Sequence, residues 1–295
     1  MTVITTIISR ACIAYASDSF LTSVDEERIV HVVETKQTKI VRVPVWKGLL
    51  SYWGLSRYPL HNWSTLDFLM ECANAAHSFA SPAAFADQMR ETLTTKFQSF
   101  GVDSPEIGGL GIHFAAYEYV DGFAVPELFL ISNFEDIKYS RLSPGGFHCT
   151  RETYHLLNEP GSIVEPEAKP HHADIDFRRL VYRRIFHDNK MQVYNNGDTL
   201  MFNPVAGAIL DSTKEIRERG DLKDPDSVTE MLNLAGTAVS VVSMLQMKFV
   251  KSERQRRRNR EAEITGKRRI GGATHAVAVA PNGLYVPQGS DTYTK

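Results

Sequence analysis

A chain of 295 residues with 43% hydrophobic and 23% charged side chains can bury a sizeable core, which excludes a disordered polypeptide. Its formal net charge of −2 gives no overall electrostatic case for binding nucleic acid or an anionic membrane. No apolar run approaches the roughly 20 residues of a membrane helix, because Asn233, Gly236, Thr237, Ser240, Ser243 and Gln246 interrupt the most apolar stretch.

In chain order, Thr2 to Tyr15 is rich in Val, Ile and Thr and reads as strand with a turn near Ser9 and Arg10. Ser17-Asp18-Ser19 breaks that pattern. Short β-branched or aromatic strands are predicted over Arg28–Val33, Thr38–Val43 and Gly48–Gly54. Ser64 caps a predicted helix from Thr65 to Phe79, striped by Leu66, Leu69, Met70, Ala73 and Ala76. Ser81-Pro82 opens a second helix to Phe100, with Phe85, Met89, Leu93 and Phe97 at every fourth position and Gly101 as its stop.

Strands resume at Gly109–Tyr119 and Glu127–Ser132, joined by the hairpin loop Val120-Asp121-Gly122. Residues 133–203 read as an elaborated loop region with a helix from Asp176 to Val193. Two more helices are predicted, over Pro204–Arg219 and from a capped start at Asp226–Glu230 onward. Gly271-Gly272, the strand Thr274–Val279, the turn Pro281-Asn282-Gly283 and the strand Leu284–Val286 follow. Two antiparallel sheets packed face to face with helix pairs outside would bury this order of elements. The expectation is one α+β domain over 1–295, with an elaborated region at 133–203 and a basic helix extension at 248–267.

Three positions add chemistry to that order: Thr2 after Met1, Asp18 sixteen positions later, and Lys39 at the head of Lys39-Ile40-Val41-Arg42-Val43. Thr22, four after Asp18, is a fourth. Together with the order of elements they resemble the proteasome β-subunit and the bacterial proteasome-like proteases, within the N-terminal-nucleophile hydrolase superfamily. The resemblance covers most of the chain outside 133–203 and 248–267. It implies a four-layer αββα sandwich, a threonine peptidase that uses no cofactor or metal, a peptide or protein substrate, and assembly of copies of the chain into a ring or dimer. An unfoldase partner is left unspecified. The resemblance also implies that Thr22 contacts substrate through its backbone and that Ser51 is the specificity position.

A threonine hydroxyl needs a nearby base, and a free α-amino group on the same residue supplies one because it titrates at about 7.7–8.0. Lys39 would favour hydroxyl deprotonation, Asp18 would hold the lysine, and a backbone N–H near Gly54 would stabilise the oxyanion. Trp53 departs from the family's paired glycines, in Ser51-Tyr52-Trp53-Gly54. Lys267, Ile270 and Asn203 stand where the family has groups that tune the threonine amine. These departures carry the alternative reading, a catalytically silent proteasome-like scaffold or assembly subunit.

Arg254, Arg256, Arg257, Arg258 and Arg260 are interleaved with Glu253, Glu261 and Glu263, and read as a solvated helix extension rather than a nucleic-acid surface. His171-His172 with Asp174 and Asp176 lacks further ligands at metal spacing. The start of the chain has no basic n-region, and Cys12, Cys72 and Cys149 have no disulfide or metal spacing, so a cytoplasmic, reducing compartment is expected.

Overall fold

The computed structural model describes residues 3–19, 21–24, 30–34, 37–101, 108–135, 141–152, 175–187, 191–197, 219–220, 226–256 and 274–288. For 21–24, 30–34, 175–177, 197, 245–256 and 287–288 only the backbone course is considered. The strands are β1 (Val3–Ile8), β2 (Ile13–Asp18), β3 (Leu21–Val24), β4 (Val30–Glu34), β5 (Ile40–Val43), β6 (Gly48–Gly54), β7 (Arg57–Tyr58) and β8 (Trp63–Ser64). They continue as β9 (Leu110–Val120), β10 (Phe123–Ser132), β11 (His148–Arg151), β12 (Gln192–Gly197), β13 (Thr274–Val279) and β14 (Tyr285–Gln288). The helices are α1 (Thr65–Ala75), α2 (Pro82–Phe100), α3 (Ile175–Tyr182) and α4 (Val228–Arg256).

Two large antiparallel sheets result. The first runs β12-β1-β2-β13-β14 and the second β11-β10-β9-β6-β5. The β1–β2 turn is closed by Ser9, whose N–H donates to the Cys12 carbonyl (3.1 Å) and whose Oγ accepts the amides of Ala11 and Cys12 (both 3.3 Å). The break predicted at Ser17-Asp18 does not occur. Both residues continue β2, Ser17 opposite His275 and Asp18 opposite Thr274. The partner that extends the strand comes from the far end of the chain.

The helix predicted to reach Val193 also needs correction. Helical structure ends with a π turn at Arg183–His187, and Gln192–Gly197 pairs along β1 instead. An unpaired β1 would leave a row of buried backbone donors and acceptors unsatisfied, which outweighs a weak helical pattern. β10 starts at Phe123, earlier than predicted, because Asp121 (φ 51) and Gly122 (φ 84) make a two-residue left-handed turn that lets Val120 pair with Phe123.

Capping sets the helix starts. Ser64 Oγ accepts the Asp67 amide (3.3 Å) and Ser81 Oγ the Ala84 amide (3.2 Å). At α4 the Glu230 amide donates to Ser227 Oγ (3.2 Å), while Glu230 Oε2 accepts the amides of Asp226 and Ser227 (3.0 Å each). Those backbone donors hold the Glu230 carboxyl down at about 2. Among the described residues no helix is long and apolar enough to cross a membrane.

Strand alternation distributes the core into three layers. Tyr52, Ile112, Phe114 and Phe129 pack against Leu69, Phe85, Met89 and Leu93 of α1 and α2. Ile4, Ile8, Ile13, Tyr15 and Val277 of the first sheet meet Leu49, Trp53, Ala115, Tyr117 and Leu128 of the second. Val3, Ile7, Ala14, Ala276 and Ala278 turn outward onto Met231, Leu232, Ala235, Val239 and Val242 of α4. Lys47 clasps one end of the sandwich: its Nζ donates to the Pro281 carbonyl (2.8 Å), which also accepts the Tyr119 hydroxyl (2.7 Å). Arg42 lies over the Tyr285 ring at 4.6 Å on the same side.

Two carboxylates of the β9–β10 hairpin, the buried Glu127 and the half-buried Glu118, meet arginines from neighbouring elements. Arg151 pairs with Glu127, and Arg178 of α3 reaches Glu118 (2.9 Å) and Glu127 (3.6 Å). Two guanidinium groups therefore offset two carboxylates where α3 meets the second sheet.

Gly111 faces Trp53 across the β6–β9 ladder, and a Cβ there would fall 2.0 Å from Trp53 Cζ2. Gly111→Ala should therefore lower stability by about 1–3 kcal/mol in urea unfolding. Paired with Trp53→Ala, it should cost less than the sum of the two single changes, because the clash disappears with the indole.

Candidate active site

Sequence assigned chemistry to Asp18 and Lys39, and the fold brings them together. Asp18 ends β2 in the first sheet, and Lys39 immediately precedes β5 in the second. Lys39 Nζ donates to Asp18 Oδ1 at 3.0 Å, with each side chain 1% exposed. The same Oδ1 accepts the Val3 N–H at 3.2 Å. One carboxylate oxygen thus joins the start of β1, the end of β2 and the head of β5. The Gln37 amide donates to the Ser19 carbonyl (3.2 Å), which steers the chain toward Lys39 alongside the residue after Asp18.

Burial drives the Lys39 ammonium below its ordinary pKa, and the Asp18 carboxylate pulls it partly back. A dehydrated cation held by a carboxylate can stabilise negative charge developing on an adjacent oxygen more strongly than a lysine in water can.

The space between the sheets changes character along its length. At the Lys47 end, Ile8, Ile13 and Val279 form one cross-strand row. At the other end the corresponding row is Asn196, Ile4, Ser17 and His275. Opposite it, the second sheet presents the row His113, Ser51 and Ile40, and Lys39 is the next residue along the chain from Ile40. His113 Nδ1 lies 2.8 Å from Thr6 Oγ1, and its Nε2 meets the Asn196 side-chain amide. The Trp53 indole stands edge-on to the imidazole at 5.3 Å. Apart from Lys39, Ser51 and Trp53, none of these residues was given a site role from sequence. The signal for His113 was an imidazole at an inward position of the apolar run Gly111-Ile112-His113-Phe114-Ala115.

Full burial pushes the His113 pKa down to about 3 from an ordinary 6.5, so the ring is neutral. A neutral imidazole donates from one nitrogen and accepts at the other. The Thr6 and Asn196 contacts therefore engage both ring nitrogens, one as donor and the other as acceptor.

The shift has a sign that can be tested. Between pH 6.5 and 3 the unfolded chain takes up a proton at this residue that the folded chain refuses. Stability should therefore fall as pH drops through that window, by up to ~1.4 kcal/mol per pH unit from this group. Urea midpoints at pH 7, 6, 5 and 4 for the wild type and for His113→Asn should show a slope shallower by one proton in the variant.

The remaining predicted positions fall as follows. Thr2 lies outside the described residues. Thr22 belongs to β3, opposite Val32 of β4. Ser51 is fully buried, and its hydroxyl has no hydrogen-bond partner among the described residues. Trp53 is buried between the sheets and fills the space over Gly111. Gly54 adopts φ +91, and a Cβ there would meet the Gly109 carbonyl oxygen at 2.1 Å, so only glycine fits. The Leu55 N–H donates to that same carbonyl (2.7 Å), which removes Leu55 as an oxyanion donor.

Asn203, Lys267 and Ile270, residues 204–218 of the helix predicted over Pro204–Arg219, and the His171-His172 pair lie outside the described residues, and Arg219 lies in a turn. The basic extension is helical as far as Arg256. Among the described residues no three His, Cys, Asp or Glu side chains gather as a metal site. A scan against models of known protein families gives no match, and a search of curated proteins finds none at a significant level.

Proposed function

We propose that the chain is an N-terminal-nucleophile hydrolase of the threonine type, cleaving an amide bond of a peptide or protein through an acyl-enzyme. The observation that carries this reading is the buried Lys39–Asp18 pair, bound through one oxygen to the Val3 amide, one peptide bond from Thr2. The layering of α1 and α2, two face-to-face sheets and α4 supports the αββα sandwich of that superfamily.

Removal of Met1 would free the Thr2 amine. That amine would accept the hydroxyl proton as the oxygen attacks the substrate carbonyl, and it would return the proton to the departing amine. Lys39 would supply positive charge beside the nucleophile, and a backbone N–H of the Trp53-Gly54 stretch would receive the oxyanion. Water would then release the acyl group. Assembly of several copies into a ring or dimer belongs to the same proposal, and sedimentation of the purified chain would reveal it.

The deciding experiment is an intact-mass spectrum before and after treatment with a peptide epoxyketone, which needs both a threonine hydroxyl and its free amine. Loss of Met1 with an adduct mapped to Thr2 is the expected result. Retained Met1 with no adduct would replace the hydrolase reading with that of a silent scaffold.

A further inference from the structure

Sheet pairing places His113 at the β9 end of one cross-strand row, with the Lys39–Asp18 pair one residue along the chain from Ile40 at its β5 end and from Ser17 in the facing row. In the first sheet the row runs Asn196, Ile4, Ser17, and Asp18 follows Ser17 along β2. In the second it runs His113, Ser51, Ile40, and Lys39 precedes Ile40. His113 joins the two sheets at the β9 side through Thr6 of β1 and Asn196 of β12. Lys39 joins them at the β5 side through Asp18.

We propose that His113 is a positioning residue that fixes the register of one sheet against the other so that Lys39 reaches Asp18. Apolar packing between sheets is non-directional and tolerates sliding. A ring that must donate to one strand and accept from another does not tolerate it. Thr6 lies on β1, the strand that Thr2 precedes, so a slip at Thr6 is carried directly toward the N-terminus. The Trp53 ring lies 5.3 Å and the Tyr15 ring 6.4 Å from the imidazole, both edge-on, and they flank it between the sheets. In its catalytic consequence this inference rests on the hydrolase reading above. In its structural consequence it does not.

The test uses three replacements of the ring. His113→Asn puts an amide where Nδ1 was and keeps the Thr6 bond. His113→Gln reaches toward Asn196 instead. His113→Leu fills the volume with neither bond. Two readouts are taken below the melting temperature of every variant: the rate of epoxyketone addition to Thr2, and acetylation of Lys39 by a pulse of acetic anhydride, mapped by mass spectrometry.

His113→Leu should slow addition by about tenfold or more, as a displacement near 1 Å does elsewhere, and should expose Lys39 to acetylation. His113→Asn should recover addition and keep Lys39 protected even where its melting temperature is as low as that of the leucine variant. Thr6→Val, which leaves the ring in place, should resemble His113→Leu and serves where the latter does not fold.

Wild-type addition and a protected Lys39 in His113→Leu or Thr6→Val would overturn the proposal, as would an asparagine variant no better than leucine. If the wild type forms no adduct at all, the hydrolase reading fails on its own. Lys39 acetylation then decides the register question alone: modification confined to the variants that lose the Thr6 bond supports it, and uniform protection overturns it.

Discussion

Lys39→Met should slow modification of Thr2 by an epoxyketone about 10²–10³-fold, the loss expected when one preorganised electrostatic partner of a developing anion is removed. The same change should destabilise the protein by about 3–5 kcal/mol, because it strips the Asp18 carboxylate of a buried counter-charge and leaves the Val3 amide among its donors. The two effects separate in the double variant Asp18→Asn with Lys39→Met. Its neutral amide beside a thioether should restore most of the lost stability and none of the reactivity. Intact-mass kinetics measure the first quantity and urea unfolding the second. A double variant that recovers reactivity along with stability would show that the pair serves the fold alone.

Arg151→Ala is expected to be the most damaging change away from that pair, at about 3–5 kcal/mol. It would remove the buried Arg151 guanidinium and leave Glu127, itself 1% exposed, with the half-buried Arg178 at 3.6 Å. The cost is that of stranding a charge in a dry place. Arg151→Met combined with Glu127→Leu should therefore come within about 1–2 kcal/mol of wild type, since both ions leave together. Arg179–Asp121 provides the contrast: its bond is 2.7 Å long, but the side chains are 63% and 51% exposed. Arg179→Ala should cost no more than about 1 kcal/mol, because water and salt screen that pair in the folded chain.

The sequence revealed most where a residue's neighbours along the chain decide its conformation. Ser64, Ser81 and the Ser227–Glu230 pair cap helices as their types demand, and Asp121-Gly122 and Pro281-Asn282-Gly283 make the expected turns. It revealed least where the deciding partner is remote. Ser17 and Asp18 look like a break until β13 arrives from residue 274 onward to pair with them. Gln192–Gly197 looks helical until the open edge of β1 claims it.

The same division applies to the site. Asp18 and Lys39 were legible through their spacing and their ordered strands, and they meet at 3.0 Å. Thr6, His113 and Asn196 carry no spacing of their own, since they come from three strands far apart in sequence. Trp53 was visible as an anomaly in place of a glycine. Its cause was not, because the glycine that accommodates it is Gly111, on the neighbouring strand.

The Lys47 clasp has a mechanical consequence. It fastens the turn after β13 to the second sheet at the end where the facing residues, Ile8, Ile13 and Val279, are wholly aliphatic. The opposite end is held by hydrogen bonds and the Lys39–Asp18 ion pair, which water can replace bond for bond as it enters. The two sheets are therefore bound like the covers of a book, with the spine at Lys47 and the fore-edge at Asp18. Thermal breathing should swing the fore-edge first. Amide deuteration should accordingly run in a gradient, quickest at Ile4 and Ser17 and slowest at Ile8 and Ile13, and the strand start that Thr2 precedes would lie on the side that opens.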